Sequence, residues 1–319
     1  MKEHYIAQLR TDDEITDFFL VKEISVKTGS NKKQYLDILL ADKSGEVFAK
    51  KWDLGEGELE GLSRIAPGDI IKVKALVTEW NNAKQMKISK IRGVGPEDEI
   101  DRADFFKAAP EDPEKMFAYI YSIAESMEDK DLKAITARFL ADNKKRLMYY
   151  PAAAKNHHAQ YAGLLWHMKR MLMMAENYCR VYTFLNRDLL VAGVILHDME
   201  KLNEMDSDEN GIVSEYTFEG NMLGHLVQGV VTIDHMAEEL GMPTEKKIML
   251  EHMILSHHYE PEFGSPKRPL FPEAEALHYI DMVDAKMYDM EEAIFGAESG
   301  GFSDRVWTLD NRRIYRRTW

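Results

Sequence analysis

The sequence predicts an α+β chain made of two unlike parts, a small closed β-barrel followed by an all-helical domain. Three observations predict it. β-branched and aromatic residues alternate with polar ones over residues 18–92, and the apolar period then turns helical from about residue 114. Of the 11 histidines, only His4 precedes residue 150. The charge divides at the same place: residues 1–95 carry 16 Lys and Arg against 15 Asp and Glu, whereas the remainder carries 25 against 40.

With 319 residues the chain is long enough for two domains, and a composition of 45% hydrophobic and 30% charged residues suits a globular protein. The expected boundaries are 1–95 for the barrel, 96–115 for a linker and 116–319 for the helical domain. FFLVKEISVKT, KKQYLDILLADKSGEVFAKKW, GDIIKVKALVTEW and KQMKISKI supply about five short strands. Turn residues separate them at Gly29-Ser30-Asn31, Asp42-Lys43-Ser44-Gly45, Pro67-Gly68-Asp69 and Asn81-Asn82, with a Gly-rich break at 55–61. A barrel of this size and strand number is expected to be an OB-fold. Pro96, Pro110, Pro113 and an acidic bias mark the linker. Helices are expected at 114–127, 129–143, 161–182, 187–200, 221–240, 243–258 and 273–293, with Gly241-Met242-Pro243 as a stop and restart.

The totals exclude several classes. A net charge of −14 gives no overall attraction for nucleic acid, so such a partner needs local basic patches or metals. Cys179 is the only cysteine, so no intramolecular disulfide forms, and its helical context suits a buried, inert thiol. The N-terminal MKEHYIAQLRTDDE has no apolar core of a secretory signal, and the longest purely apolar run, Leu189 to Leu196, is far too short to span a membrane. The expected compartment is the cytoplasm.

The chemistry gathers around ILHDMEK, where an apolar run ends in His197-Asp198 with Lys201 three residues on. A His-Asp dipeptide alone is weak evidence, and what matters is its company. His167 lies in AGLLWHM, His225 in GHLVQG, His257-His258 at the end of EHMILSHH, and Asp281 in EALHYIDMVDAK. Each falls in an apolar helical segment, where an uncoordinated polar group is costly, and one ligand per helix is how helical bundles build metal sites. One metal is assigned to His167, His197, Asp198 and Asp281. A second takes Asp198 as the bridge with His225, His257 and His258. Mixed imidazole and carboxylate ligands suit Mn, Fe, Co, Ni or Zn better than Mg or Ca. Two such metals activate a hydroxide and clamp a phosphate for in-line attack, with Lys201 balancing the charge on the phosphate. A single buried histidine is more often a satisfied core residue, which is the reading for His235 or His252. His278, three residues before Asp281, is placed behind the ligands.

The ordered set H…HD…H…HH…D resembles the HD-domain metal-dependent phosphohydrolase superfamily. The barrel together with AGLLWHM, ILHDMEK, GHLVQG, LSHHYEPEFGSPKRP and EAEALHYIDMVDAKM resembles the YhaM-type 3′–5′ exoribonuclease family over nearly the whole chain. The resemblance implies an HD domain at 116–319 and stepwise 3′–5′ hydrolysis of single-stranded RNA, with single-stranded DNA as a second substrate and Mn²⁺ as the usual activator. It carries His167, His197, Asp198, Lys201, His225, His257, His258 and Asp281 over as matched positions. Tyr259 departs from the pattern, standing where the family often has Gly, which touches substrate preference rather than metal binding. The alternative within the superfamily is a phosphohydrolase or phosphodiesterase acting on a small nucleotide; GSPKRP stands where its cyclic-dinucleotide enzymes carry Gly-Tyr-Pro, which disfavours that class, and the barrel would be unexplained. A further alternative is a nucleic-acid-binding protein with a degenerate helical module, against which the complete ligand set argues.

Substrate contacts are expected from His157 and His158, which precede the first ligand helix, and from Ser265, Lys267 and Arg268 in a Pro-bounded loop beside His257-His258. On the barrel, Tyr35, Trp52 and Trp80 with Lys50, Lys51, Lys84 and Lys87 are candidates for base stacking and a basic track. Phe48 is expected to point inward. The basic C-terminal RRIYRRTW, Arg312 to Arg317 within it, either binds RNA or packs against the acidic domain of a second copy, making a homo-oligomer.

Overall fold

The computed structural model describes residues 2–29, 33–52, 54, 62, 64–80, 83–101, 104–154 and 158–319. The chain forms two compact units, Met1–Ala108 and Ala109–Trp319.

In the first unit, β1 (Glu14–Thr28), β2 (Gln34–Asp42), β3 (Gly45–Lys51), β4 (Ile70–Trp80) and β5 (Ala83–Gly93) close a barrel in the order β1-β2-β3-β5-β4. All pairings are antiparallel except β3 with β5. This five-stranded Greek-key closure is the OB-fold. The strands follow from alternation. In β3, Val47, Ala49 and Lys51 point inward while Glu46 and Phe48 point out. Phe19, Val21, Ile38, Leu40, Ile71, Val73 and Met86 fill the core. Residues 104–106 pack with this unit: Phe105 is buried, and the Asp104 carboxylate accepts from Tyr5 at 2.5 Å and from the Lys43 ammonium at 2.9 Å.

The second unit holds α1 (Pro113–Glu125), α2 (Lys130–Leu147), α3 (Gly163–Val181), α4 (Arg187–Leu196), α5 (Lys201–Glu204), α6 (Phe218–Leu240), α7 (Thr244–Ser256) and α8 (Pro272–Gly296). Caps explain several starts: the Asp112, Asp129, Asn186 and Thr217 side chains each accept a backbone N–H of their helix's first turn. The centre is α4. Its LLVAGVIL stretch is buried on every side, and it packs against α1, α2, α3, α7 and α8. A helix apolar all round belongs in the middle of a domain, so the residue that follows it, His197, arrives at the centre too.

One expectation needs correction. The helical unit also carries a two-stranded ribbon, Met205–Ser207 paired with Val213–Tyr216. Asp208 forms its turn by accepting from the Asn210 and Ile212 amides, both at 2.9 Å. Strands of three and four residues are too short to leave a period-2 signature.

Candidate metal centre

The site is built where helices end. His197 directly follows α4, and its Nδ1 lies 2.9 Å from the Val194 carbonyl. His257 directly follows α7, and its Nδ1 lies 2.8 Å from the Ile254 carbonyl. The two helices thus use the same device: an imidazole N–H satisfies one of the carbonyls left open by the last turn. They also bring two helix C-termini, the negative ends of the backbone dipoles, to one place, which favours a cation there.

His225 is aimed differently. Gly224 takes φ 69°, ψ 162° inside α6 and kinks the helix just before it. The kink lets Glu204 accept from the His225 backbone N–H at 3.1 Å while its carboxylate meets Nδ1 at 3.0 and 3.1 Å. His167, on α3, has its Nδ1 2.8 Å from Asp284 Oδ2. The start of α3 demands glycine at 163, because a Cβ there would lie 2.0 Å from the His158 carbonyl oxygen.

At His197, His225 and His257 each Nδ1 therefore faces an oxygen that can only accept, which fixes the proton on Nδ1 and leaves Nε2 as a lone pair. Those lone pairs converge on Asp198. Nε2 of His197, His225, His257 and His167 lies 3.1, 3.6, 3.8 and 3.8 Å from its oxygens. Asp281 Oδ1 is 3.3 Å from His167 Nε2. The Nε2 atoms of His197, His225 and His257 and Asp198 Oδ1 are buried without a hydrogen bond among the described residues. Lone pairs and carboxylate oxygens at such distances repel one another unless cations or protons lie between them. The donor set and its orphaned atoms thus fit divalent metals. Three-residue clusters with ligand atoms within 4.8 Å of one another form at His167/His197/Asp198, His197/His257/Asp281 and His225/His257/His258.

The electrostatics agree. Burial disfavours charge on Asp198, yet His197, Lys201 and His225 hold its carboxyl well below the usual range. Burial likewise disfavours charge on Asp281, yet His167, His197 and His257 hold it well below the usual range. Burial alone would lower His167, but Asp281 and Asp284 raise it to about 9, so in the metal-free chain it supplies a cation to the site. Burial, with His258 and His197 adding to it, pushes His257 well down and keeps it neutral, as a ligand must be. The Lys201 ammonium stands 2.6 Å from Asp198 Oδ2, and this pairing outweighs burial to raise it.

The positions expected to hold metal and Lys201 therefore come together. Several others do not stand where substrate contact was expected. His158 is fully buried behind His167: its Nε2 is 2.8 Å from Asp284 Oδ2, and burial lowers it to about 3. Ser265 is also buried, its hydroxyl accepting from the His258 amide at 3.1 Å, so it braces the double histidine. Lys51 points into the barrel wall, with Nζ 3.4 Å from the Ser89 carbonyl. His157 lies outside the described residues. Lys267 is exposed, and Arg268 pairs with Glu260 at 3.0 Å and lies over the Tyr259 ring. Tyr259 has φ 69°, the left-handed backbone that glycine takes freely. His278 has Nδ1 2.7 Å from the His257 carbonyl.

Sequence reasoning missed Asp284 and Glu204, the carboxylates that orient His167 and His225. Both lay within three residues of a named position, at Asp281 and Lys201. Arg170 holds Asp284 from the other side, with Nε 2.6 Å from Oδ1.

On the barrel, Tyr35 and Trp52 stack at 4.2 Å with 24° between planes, and the Lys50 ammonium lies over both rings. Phe48 is 57% exposed, not inward, and β3 aligns Phe48 and Lys50 with Gln85 and Lys87 of β5. Lys84, Lys87 and Trp80 are exposed. The strip from Tyr35 through Trp52, Lys50 and Phe48 to Lys87 therefore interleaves rings and cations. Three of the C-terminal arginines tie their own segment: Arg312 donates to the Leu309 carbonyl, Arg313 to Ser303 and Arg316 to Ala297, each at 2.9 Å.

A closed five-stranded barrel joined to a helical unit with a histidine–aspartate centre defines the class: residues 164–286 match the HD domain family. The chain belongs to the YhaM family. It is 38% identical over 312 residues to the 3′-5′ exoribonuclease YhaM of Oceanobacillus iheyensis, covering 98% of this chain and 96% of that one. It is 37% identical over 307 residues to the 3′-5′ exoribonuclease YhaM of Bacillus subtilis, covering 96% of each. Among solved structures, the second OB-fold domain of replication protein A from Methanococcus maripaludis aligns with 31% of this chain and 98% of its own, at 16% identity and TM-score 0.24. Among the described residues, no helix is long and apolar enough to cross a membrane.

Proposed function

We propose that this protein is a metal-dependent 3′–5′ exoribonuclease that removes nucleoside 5′-monophosphates from single-stranded RNA in the cytoplasm, with single-stranded DNA as a second substrate. The carrying observation is the convergence of the His197, His225 and His257 Nε2 lone pairs on buried Asp198, with every Nδ1 already engaged. Two divalent ions, Mn²⁺ first among them, fit that donor set: His167, His197, Asp198 and Asp281 would hold one, and Asp198, His225, His257 and His258 the other. When bound, such ions acidify water and neutralise phosphate oxygens.

The chain's own groups do the rest. Asp198 is placed to be shared between the two positions. Lys201, largely buried beside it, offers an N–H to a non-bridging oxygen of the terminal phosphodiester, where negative charge grows as water attacks phosphorus. The P–O3′ bond breaks, the penultimate nucleoside keeps its 3′ oxygen and gains a proton, and the phosphate leaves on the terminal nucleoside. Asp284 and Glu204 hold His167 and His225 in the one tautomer that presents Nε2. The barrel, within residues 1–95, grips the single strand through its strip of rings and cations.

The test is a denaturing gel of 5′-labelled single-stranded RNA, matched DNA and a duplex, each incubated with the Mn²⁺-supplemented protein. A ladder that shortens from the 3′ end of the RNA is expected. Intact RNA overturns this reading and directs attention to small phosphate esters.

A further inference from the structure

We infer that Trp307 is the stacking platform for the base of the 3′-terminal nucleotide, so that the C-terminal segment forms part of the substrate site. The inference rests on the exonuclease reading above. A cavity of about 810 Å³ is lined by Lys201, His258 and Asp281 and, as a further wall, by Trp307, Thr308 and Asp310. That volume lies within the usual range for ligand pockets, roughly 300–1,000 Å³. Its floor is one face of α8: Asp281, Ala285 and Asp289 succeed one another at helical spacing. Eight residues of helix advance about 12 Å. Neighbouring nucleotides on a regular strand lie only about 3.4 Å apart, so the floor has room for one splayed nucleotide beyond the reacting phosphate.

The chemistry of the wall favours a base. A terminal base that enters this cavity leaves its neighbour in the strand and needs a new flat partner. Trp307 is 69% exposed on the cavity, and among the described residues no aromatic ring stacks on it. Tyr259, the one phenol ring of the lining, is already engaged by His278 at 4.7 Å and by Arg268 at 5.0 Å. The indole is carried on a firm support. Leu309, two residues on, is fully buried, and the turn Trp307–Leu309 packs against α8. Val306 N–H donates to the Arg312 carbonyl at 3.0 Å, Ser303 N–H to Ile314 at 2.9 Å and Arg316 N–H to Gly301 at 2.9 Å, closing the segment into a ribbon. The arginines of the basic C-terminus reinforce that ribbon through backbone carbonyls, which gives them a role in building this wall.

The experiment uses the full chain with Mn²⁺, excess enzyme and 5′-labelled single-stranded RNA ending in either a normal nucleotide or one that lacks its base. Wild type, Trp307→Ala and Trp307→Phe are compared for the first cleavage only, separating the half-saturating enzyme concentration from the maximal rate. On normal RNA, Trp307→Ala is expected to raise the half-saturating concentration roughly 5- to 150-fold, the usual worth of one stacked base, with the maximal rate little changed. Wild type on the baseless end should show a similar loss, the alanine variant on the baseless end no further loss, and the phenylalanine variant near wild-type behaviour. An alanine variant indistinguishable from wild type on normal RNA overturns the inference. So do losses that multiply when variant and baseless end are combined, because Trp307 would then act through the fold. Wild type leaving normal-ended RNA intact sinks the exonuclease reading itself, and that is seen before any variant is compared.

Discussion

The two units bury polar groups in opposite ways. In the barrel, Lys2 and Asp42 are buried 3.2 Å apart, Lys2 Nζ also donates to the Phe18 carbonyl at 2.6 Å, and Asp42 accepts from the Ile6 and Ser44 amides. Buried Asp17 accepts the Glu3, His4 and Phe18 amides. These charges are saturated by their surroundings and hold the N-terminal segment onto the strands. In the helical unit the three histidines that face Asp198 are saturated on one side only. Nδ1 of His197, His225 and His257 is engaged, and their Nε2 atoms stay open toward Asp198. A buried polar group with every bond made is part of the fold, whereas several half-satisfied ones aimed at one point are a binding site.

Breaking the open set should have the largest effect on activity and the closed set the largest on stability. Asp198→Ala is expected to lower RNA hydrolysis at least about a thousandfold and to abolish the rise in melting temperature that Mn²⁺ gives the wild type, with the circular dichroism spectrum retained. Retained hydrolysis would refute a shared role for Asp198. Asp42→Ala strands the Lys2 ammonium in the barrel and should cost about 3–5 kcal/mol of stability in chemical denaturation. The Mn²⁺-dependent thermal shift of the helical unit should survive it. An equal loss of metal response would mean that the two kinds of burial are not separate.

How much of this was legible follows from the range over which each signal acts. The strands and helices declare themselves within a dozen residues, through period 2 before residue 93 and helical period after 113. The candidate ligands were legible because each is a histidine or aspartate stranded in apolar sequence. What supports them was not. His158 and Asp284 are 126 residues apart and meet behind His167, and no spacing tells whether a buried histidine faces the candidate metal centre or the back of a candidate ligand. Phe48 was misjudged for a local reason: Val47 and Ala49 already occupy the inward phase of β3, and a strand places neighbours on opposite faces whatever their hydrophobicity. Phase, not residue type, decides such positions.

That outward phase sharpens the comparison further, because the barrel's functional surface should carry binding without carrying stability. Phe48→Ala and Trp52→Ala are each expected to weaken single-stranded RNA binding by about 1–3 kcal/mol, measured by fluorescence anisotropy, while changing unfolding free energy by less than about 0.5 kcal/mol. A stability loss near that of a core phenylalanine would mean the ring packs rather than stacks.

The smallest effect concerns Lys87, which β3–β5 pairing sets opposite Lys50. If a strand's phosphates track this pair, each cation displaces condensed counterions, and log affinity falls with log salt by about 0.7 per contact on single strands. Lys87→Gln should therefore lower affinity at low salt and make the salt slope shallower by about 0.7, equally for every RNA sequence tested. The cleavage rate at saturating RNA should not change, because Lys87 belongs to the barrel and the reacting groups to the helical unit. An unchanged slope would move the backbone track off the β3–β5 face and leave the exposed rings there as base contacts only.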